Sequence, residues 1–425
     1  MNKIIFLIEA VEGHFNPFVP IINEFTKQGY QVVCMTGSKF RKRVEQAGAT
    51  FQNLPEKWDP GENDVYDFFP ELKKRNGLSQ VKYYLKHILF DQVPDTLDAL
   101  KKLLVSFPAD IVISDTFMVA SGWMTELGGP PNVRLSVLPL SFPGKNIPPY
   151  GLGLMPGKSF FSKLKISFLN VLIEKLVFND VQKYANKIRA QQNLDIFQES
   201  FFKLGFTTPN LVLHTSVPAF EYPREDYPSN FKFIGPIGLP FRDDFQMPEW
   251  WQKMESDFPV VLVNQGTVAT DYSNLIKPAI EGLRDEKINV IAVPVNEGGI
   301  PNLPKNAHTE PYIPFGNLLP HVDVMITNGG FGGTQHALAH GIPVIVAGAT
   351  EDKMEVAARV EYSGTGINLK KQQPKPKDIK NAVREILSDP LYKKKAEELK
   401  LIYTQYDAPS LAVGYIKNLI EQKSK

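Results

Sequence analysis

The 425-residue sequence predicts an α/β protein made of two doubly wound, Rossmann-like domains that face each other across a cleft. Short apolar runs alternate with helical segments, and such units form parallel sheets covered by helices on both faces. The alternation stops in a segment rich in proline and glycine, residues 236–250, and then restarts. The length also suits two domains. A ligand is expected in the cleft, at the carboxyl ends of the strands.

The first half contains four apolar runs that predict buried strands, at residues 4–8, 31–35, 110–114 and 132–138. Helical spacing predicts helices at residues 17–28 and 40–47, which end at Gly29 and Gly48. Residues 158–203 are typical of long amphipathic helices. Their apolar stripe is interpreted as core rather than as the wall of an apolar ligand pocket, and it consists of Phe160, Phe161, Leu164, Phe168, Leu172 and Leu176.

The second half repeats this pattern. Strands are predicted at residues 259–263, 288–293, 322–327 and 343–346, and helices at 274–282, 331–340, 352–362 and 391–422. We therefore expect an N-terminal domain (residues 1–235), a linker (236–250) and a C-terminal domain (251–405). A final helix within residues 406–425 is long enough to pack back on the first domain.

Composition excludes several classes of function. The net charge is +1, so the sequence predicts no nucleic-acid partner. No run of about 18 apolar residues occurs, so no membrane span is predicted. The single cysteine, Cys34, lies in an apolar run and is expected to be buried and inert. We expect a cytoplasmic protein.

The first candidate site combines His14 and Asp115. His14 precedes Pro17 at the start of the first helix, and the positive helix end should keep its imidazole neutral and available as a base. Asp115 follows a buried strand and can orient His14 and stabilise its protonated form. The alternatives are a histidine and an aspartate that only cap helices.

The second candidate site is a glycine-rich turn at residues 327–334, between a strand and a helix. Its four glycines let the backbone approach a phosphate, which the helix N-terminus stabilises. Tight packing of helix on strand is the alternative. Thr267, after the first strand of the second half, can also donate to a phosphate, and Asp352 can accept hydrogen bonds from a sugar or cap a helix.

Taken in order, these motifs resemble the family-one nucleotide-sugar glycosyltransferases over nearly the whole chain. The resemblance implies the GT-B fold, in which residues 1–235 form the acceptor-binding domain and residues 251–405 the nucleotide-sugar-binding domain. It also implies that His14 is the general base and Asp115 its orienting partner. Residues 312–315 are similar to a Trp-x-Pro-Gln element whose aromatic residue stacks on the nucleotide base. The donor site implied by the resemblance consists of Thr267, Tyr312, Ile313, Asn328, Gly330, Gly332, Gly333, Thr334, Asp352 and Lys353.

Four residues depart from the family pattern. Asn328 replaces the histidine of the phosphate turn, and Lys353 replaces the glutamine that binds the donor sugar. Phe315 and His336 replace the glutamine and glutamate that bind the ribose in many plant members. UDP is the usual donor nucleotide, but dTDP lacks the 2′-hydroxyl and becomes a plausible alternative.

The expected function is therefore inverting transfer of a hexose, with glucose as the expected sugar, from a UDP-sugar to a hydroxyl of a small lipophilic acceptor such as a flavonoid, terpenoid or macrolide. UDP-glucose is the expected co-substrate, with no cofactor and no required metal. The alternatives are a dTDP-sugar-dependent natural-product glycosyltransferase, another GT-B reaction such as epimerisation, and a non-catalytic nucleotide-sugar-binding protein.

Overall fold

The computed structural model of the protein describes residues 2–63, 65–157, 159–239, 242–266, 271–293, 299–350 and 352–423. It contains two sheets, and every strand pairing within these ranges is parallel. Both strand orders turn back at the first strand of the sheet, which is the pattern of a doubly wound domain. The structure confirms the predicted α/β class with two such domains.

The first sheet has the strand order β3-β2-β1-β4-β5-β6-β7. Its strands are β1 (Lys3–Leu7), β2 (Gln31–Thr36), β3 (Thr50–Asn53), β4 (Ile111–Asp115), β5 (Asn132–Ser136), β6 (Leu211–His214) and β7 (Phe231–Phe233). Its helices are α1 (Glu12–Phe15), α2 (Val19–Lys27), α3 (Arg41–Gln46), α4 (Val65–Phe68), α5 (Gly77–Tyr84), α6 (Val93–Ser106), α7 (Ala120–Glu126), α8 (Phe160–Leu172), α9 (Asn179–Gln191) and α10 (Phe201–Thr207).

The second sheet has the strand order β10-β9-β8-β11-β12-β13. Its strands are β8 (Val260–Asn264), β9 (Asn289–Ala292), β10 (Ala307–Thr309), β11 (Val324–Thr327), β12 (Val344–Val346) and β13 (Gly366–Asn368). The helices of this half are α11 (Ile276–Leu283), α12 (Phe315–Leu318), α13 (Phe331–Ala339), α14 (Lys353–Ser363), α15 (Pro376–Ser388), α16 (Pro390–Tyr403) and α17 (Ala408–Lys423).

The central strands are apolar along nearly their whole length because helices cover both faces of each sheet. In β1, the four residues from Ile4 to Leu7 are fully buried. Helix α2 packs against them through Ile21, Ile22 and Phe25, which recur at helical spacing. This packing holds the loop between β1 and α2 at the carboxyl edge of the sheet, where the candidate base lies.

The C-terminal region, predicted to be helical over residues 391–422, forms two helices, and the second of them lies within residues 406–425. Between α16 and α17, the carboxylate of Asp407 accepts hydrogen bonds from the backbone N–H and the hydroxyl of Ser410, at 3.3 and 2.7 Å. An aspartate in this position favours a new helix start. Helix α17 then packs on α2, and Val413 and Ile416 join the core of the first domain.

The interpretation of the apolar stripe of residues 160–176 as core is wrong. Phe160, Phe161, Leu164, Phe168 and Leu176 are each 59% to 80% exposed, and Ile166 is the buried residue of α8. The segment has apolar residues on more than one face, so spacing alone did not indicate which face packs inward. No helix in the described part of the chain is long and apolar enough to cross a membrane.

Candidate active site

The strand order determines which loops lie next to each other at the cleft. Strands β1 and β4 are adjacent and parallel, with Leu7 paired to Ser114, so the residues that follow both strands meet at one edge of the sheet. Helix α1 begins within a few residues of β1 and carries His14, whereas Asp115 is the last residue of β4. The two residues are 101 positions apart in sequence, and the parallel register brings them together.

His14 and Asp115 form a buried hydrogen bond. The Nδ1 atom of His14 lies 2.8 Å from Oδ2 of Asp115, and Asp115 is fully buried. The other carboxylate oxygen of Asp115 accepts the backbone N–H of Phe117 at 2.8 Å, which fixes the carboxylate. The Phe117 ring packs on the imidazole with 5.0 Å between ring centroids. With Nδ1–H donating to Asp115, Nε2 is the nitrogen left to accept a proton.

A second carboxylate, Glu9, lies beside this pair and was not singled out from the sequence. Its Oε2 atom is 3.9 Å from Nδ1 of His14, and its Oε1 atom accepts a hydrogen bond from the Tyr84 hydroxyl at 2.5 Å. Oε2 is buried and has no hydrogen-bond partner among the described residues. Burial raises the pKa of Glu9, against the opposing effects of His14 and Tyr84. The signal available was its position two residues after β1, at the edge shared with Asp115.

The expectation that the helix end keeps His14 neutral is wrong. Burial by itself lowers the pKa of His14, but the Asp115 carboxylate with its hydrogen bond, together with the charges of Glu9 and Asp352, raises the pKa to about 9. Helix α1 has only four residues, and its dipole acts against three carboxylates. His14 is therefore a strong base that carries a proton at neutral pH.

Glu9, His14 and Asp115 are also the one group of three metal-ligating residue types that the described ranges bring together. Each has a ligand atom within 4.8 Å of the others. Imidazole and carboxylate suit a divalent transition metal such as zinc. A cation bound there would compete with the proton for the His14 nitrogen and with His14 for the Asp115 carboxylate. The cluster can therefore transfer a proton or bind a metal ion, but not both at once.

The opposite wall of the cleft is the glycine-rich turn between β11 and α13. Strand β11 pairs with β8, so Asn328 lies beside the loop that follows Asn264. The Asn328 amide donates to the Gln265 carbonyl, and its Oδ1 accepts the Gly330 N–H at 3.3 Å. Gly329 has a φ of +91°, and a Cβ there would lie 2.8 Å from Val346. Asn328 and Gly329 thus shape the turn itself.

Packing does not explain why the remaining three positions of the turn are glycines. A Cβ added at Gly330, Gly332 or Gly333 would meet no protein atom closer than 3.5 Å, and none of the three has a positive φ. Helix α13 begins here with nine residues, and its first N–H groups have no partner inside the helix. Tight packing accounts for Gly329 but not for these three, whereas close approach of an anion accounts for all three.

Two threonines were predicted to assist at this turn. Thr334 is fully buried in the first turn of α13, and its hydroxyl has no hydrogen-bond partner among the described residues. It lies at the position expected for a donor to a phosphate. Thr267 lies outside the described residues.

Asp352 and Lys353 lie where α14 begins. The side chain of Asp352 makes no capping hydrogen bond to this helix, so the capping alternative is not realised. Its charge contributes to the raised pKa of His14, which places it across the cleft from the base. Lys353 lies beside the glycine-rich turn, because a Cβ on Gly329 would be 3.3 Å from the Lys353 Cβ.

Tyr150 is a second residue that the sequence did not reveal. Its hydroxyl is buried and has no hydrogen-bond partner among the described residues. Burial raises its pKa well above the usual range, and the nearby charges of Asp352 and Glu355 add to this. Glu355 accepts the N–H groups of Gly151 and Gly153, both at 2.9 Å, and so holds the Tyr150 loop against α14. Its proline- and glycine-rich surroundings carried no signal of this role.

The predicted nucleotide-base residues lie near the start of α12. Tyr312 is 58% exposed and available for stacking, whereas the Ile313 side chain is buried in the core, so only its backbone can contact a nucleotide. Phe315 begins α12 and packs against the same core. Burial lowers the pKa of His336 to about 4, which leaves its imidazole neutral.

A buried ion network joins the two walls. Arg359 of α14 donates to Glu221 of the first domain at 2.6 Å, to Glu355 at 3.0 Å and to the Leu140 carbonyl at 3.0 Å. Glu221 also lies 3.2 Å from His214 at the end of β6. Because Arg359 is two helical turns from Asp352, this network helps to fix the position of the start of α14 relative to His14.

The sequence of this chain is similar to those of characterised enzymes along nearly its whole length. The chain is 37% identical over 409 residues to 4′-demethylrebeccamycin synthase of Lentzea aerocolonigenes, covering 96% of this chain and 97% of that protein. It is 32% identical over 416 residues to UDP-glycosyltransferase 2 of Phaeomoniella chlamydospora, covering 94% of this chain and 91% of that protein.

The domain and the fold are matched as well. Residues 282–413 match the C-terminal domain of the erythromycin biosynthesis protein CIII-like family. Among solved structures, the calicheamicin glycosyltransferase CalG4 superposes with a TM-score of 0.74 over 98% of both chains, at 19% identity. At that identity the likeness shows the fold, which is GT-B.

Proposed function

Since the chain belongs to the family-one nucleotide-sugar glycosyltransferases, and is therefore a glycosyltransferase acting on natural products, we propose that it transfers glucose from UDP-glucose to a hydroxyl of a small lipophilic acceptor with inversion. The observation that carries this proposal is the 2.8 Å hydrogen bond between His14 and Asp115, opposite the phosphate turn. Membership of the family removes the alternative of a non-catalytic nucleotide-sugar-binding protein.

The acceptor hydroxyl is activated by His14. Nε2 takes the hydroxyl proton as the acceptor oxygen attacks the anomeric carbon, and Asp115 stabilises the imidazolium that forms. The raised pKa makes His14 a strong base, but most of the molecules carry it protonated at pH 7. We therefore expect the rate to increase with pH until His14 is deprotonated, near pH 9.

The nucleotide diphosphate leaves on the opposite wall. As the new carbon–oxygen bond forms, the bond between the anomeric carbon and the phosphate oxygen breaks, and the nucleotide takes the electron pair. The N-terminus of α13, Thr334 and Lys353 are positioned to stabilise that charge. These donors make a metal ion unnecessary for departure of the nucleotide in this proposal.

The donor nucleotide is proposed as UDP because a relative 32% identical to this chain is a UDP-glycosyltransferase. A second candidate, a dTDP-sugar, is favoured by one observation. Phe315 packs into the core at the place where plant relatives have a ribose-binding glutamine, and His336 is neutral where they have a glutamate. A nucleotide without a 2′-hydroxyl needs neither partner.

Mass spectrometry of reaction products tests the proposal. The purified chain is incubated with pooled phenolic, terpenoid and macrolide acceptors and with UDP-glucose or dTDP-glucose in parallel, with and without a metal chelator. We expect an acceptor heavier by one hexosyl unit with UDP-glucose, unaffected by the chelator. A product only with dTDP-glucose would select the second candidate, and loss of product with chelator would overturn the metal-independent departure.

Two variants make the assay specific to the base. His14→Ala should reduce turnover about 100- to 10,000-fold while nucleotide binding persists, because general base catalysis contributes about that factor. His308→Ala is the matched control, because His308 lies in β10 of the second domain and stacks on Trp250 with 4.5 Å between ring centroids. Equal activity in all three chains would overturn the role of His14.

A further inference from the structure

An exposed apolar surface runs along helix α8 and its continuation. It consists of Phe160, Phe161, Leu164, Phe168, Val171 and Leu176, whose side chains are each 53% to 80% exposed. Phe160 and Phe161 contact each other at 5.9 Å between centroids. A contiguous apolar surface of this kind on a folded protein marks an interaction site.

One face of α8 points to solvent and the opposite face packs on the protein. At about 100° per residue, Phe160, Phe161, Leu164, Phe168 and Val171 fall within an arc of about 100°. The opposite side is anchored, because Ile166 is buried and the Asn170 amide donates to the Ile147 carbonyl at 2.9 Å. The apolar arc therefore points away from the protein.

The charges beside the arc identify the partner. Lys163 and Lys165 lie on its two sides, Lys175 follows in the continuation, and all three are exposed. No ion pair to another described residue occupies them. Lysine is depleted in protein–protein interfaces, whereas lysines beside an apolar helix face are typical of helices that lie on an anionic membrane surface. Their apolar stems extend along the interface and their ammonium groups reach the headgroups.

We propose that this chain docks on membranes that contain anionic lipids, with the apolar arc of α8 inserted at the headgroup boundary and Lys163, Lys165 and Lys175 on lipid phosphates. The inner side of the same helical segment lines a small cavity of about 50 Å³, through Asn170 and Ile173, that extends to Tyr150 and Glu355. Resting on the proposed function, docking holds the first domain at the bilayer in which a lipophilic acceptor dissolves.

Vesicle sedimentation tests the docking without any glycosyl transfer. The full chain is mixed with vesicles of phosphatidylcholine alone or of phosphatidylcholine with phosphatidylglycerol. We expect binding to the anionic vesicles and much weaker binding to the neutral ones. Lys163→Gln with Lys165→Gln should weaken anionic binding about 25-fold, at about fivefold per lysine. Phe161→Ser with Phe168→Ser should weaken binding by at least about tenfold.

Matched controls separate this surface from general hydrophobicity. Val105→Ser and Leu401→Ser remove exposed apolar side chains of α6 and α16, and they should leave vesicle binding unchanged. Equal binding by all variants, or no binding of the wild-type chain, would overturn the proposal. A wild-type dimer in analytical centrifugation that Phe161→Ser with Phe168→Ser dissociates would assign the surface to a second copy instead. Transfer to a water-soluble phenolic acceptor, assayed separately, reports the proposed function alone.

Discussion

At the scale of single residues, the charges around His14 decide its chemistry. Asp115 contributes the direct hydrogen bond, Glu9 lies 3.9 Å away, and Asp352 acts from across the cleft. Tyr84 donates to Glu9 and keeps its carboxyl beside the ring. These groups raise the proton affinity of His14, which strengthens the base and at the same time lowers the fraction that is deprotonated at neutral pH.

Glu9→Gln should shift the pH dependence of kcat/KM downward. A glutamine can still accept the Tyr84 hydroxyl, but it removes a negative charge that raises the pKa of His14. More of the enzyme is then deprotonated at pH 7, so activity there should rise about two- to tenfold, while the plateau at high pH falls because the base is weaker. Initial rates between pH 6 and 10 measure both changes.

The control for this variant is Glu12→Gln. Glu12 lies on the same short helix as His14 and pairs with Arg43 at 2.8 Å, and the carboxylates that raise the pKa of His14 are Asp115, Glu9 and Asp352. Its pH profile should match that of the wild-type chain. An unshifted profile in Glu9→Gln would show that Glu9 does not act on the base.

At the scale of elements, helix α13 combines a structural weakness with a functional use. Glycine costs about 0.5–1 kcal/mol relative to alanine inside a helix, yet Gly332 and Gly333 occupy its first turn. Packing does not require them there. Their presence is explained by the close approach of the donor diphosphate to the helix N-terminus.

Gly332→Ala should therefore raise thermal stability and weaken donor binding at the same time. The new methyl group would have no neighbour closer than 3.9 Å in the protein, so the helix gains propensity, while the methyl group stands where the phosphate approaches. Thermal unfolding and the KM for UDP-glucose measure the two effects. Gly414→Ala in α17 is the matched control, because its Cβ would have no neighbour within 4 Å, and only stability should rise. An unchanged KM in Gly332→Ala would show that the diphosphate does not bind at this turn.

The elements show how far the sequence alone reaches. Apolar runs predicted eight of the strands, and the strand ends suggested that Asp115 could orient His14, but only the structure shows that the two side chains meet. The strands β3, β6, β7, β10 and β13 were not predicted, and three of these have only three residues in which to show a pattern. The inward face of α8 depends on tertiary packing, and the pKa of His14 depends on Glu9 and Asp352, which only the fold brings near it.

At the scale of the whole molecule, the cleft depends on contacts between the two domains. Arg359 joins Glu221, Glu355 and the Leu140 carbonyl, and Gln335 of α13 donates to Ser216 at 2.7 Å. In the C-terminal region, α17 returns to α2 of the first domain. The donor wall and the base are therefore held by buried polar contacts, whose strength depends on the charge of Glu221.

Glu221→Gln should lower stability at pH 7 and reduce its sensitivity to acid. The substitution removes one of the two buried carboxylates that pair with Arg359 and leaves Glu355, so the loss should be smaller than the about 3–5 kcal/mol typical of a buried charge left unpaired. Burial raises the pKa of Glu221, but Arg359 and His214 lower it to about 2. Its stabilising contribution is therefore complete above the ordinary pKa of 4.5 and is lost as the pH falls toward 2.

Thermal unfolding of both chains between pH 7 and 3 measures this effect. We expect the midpoint temperature of the wild-type chain to fall more steeply below pH 4.5 than that of Glu221→Gln, because only the wild-type chain has this carboxylate to protonate. Glu126→Gln breaks an ion pair with Arg189 inside the first domain, where Glu126 is 35% exposed, and should cost less stability. If Glu221→Gln kept the acid dependence of the wild-type chain, the charge of Glu221 would not hold the domains together, and the position of the donor wall would depend on the remaining contacts of Gln335 and α17.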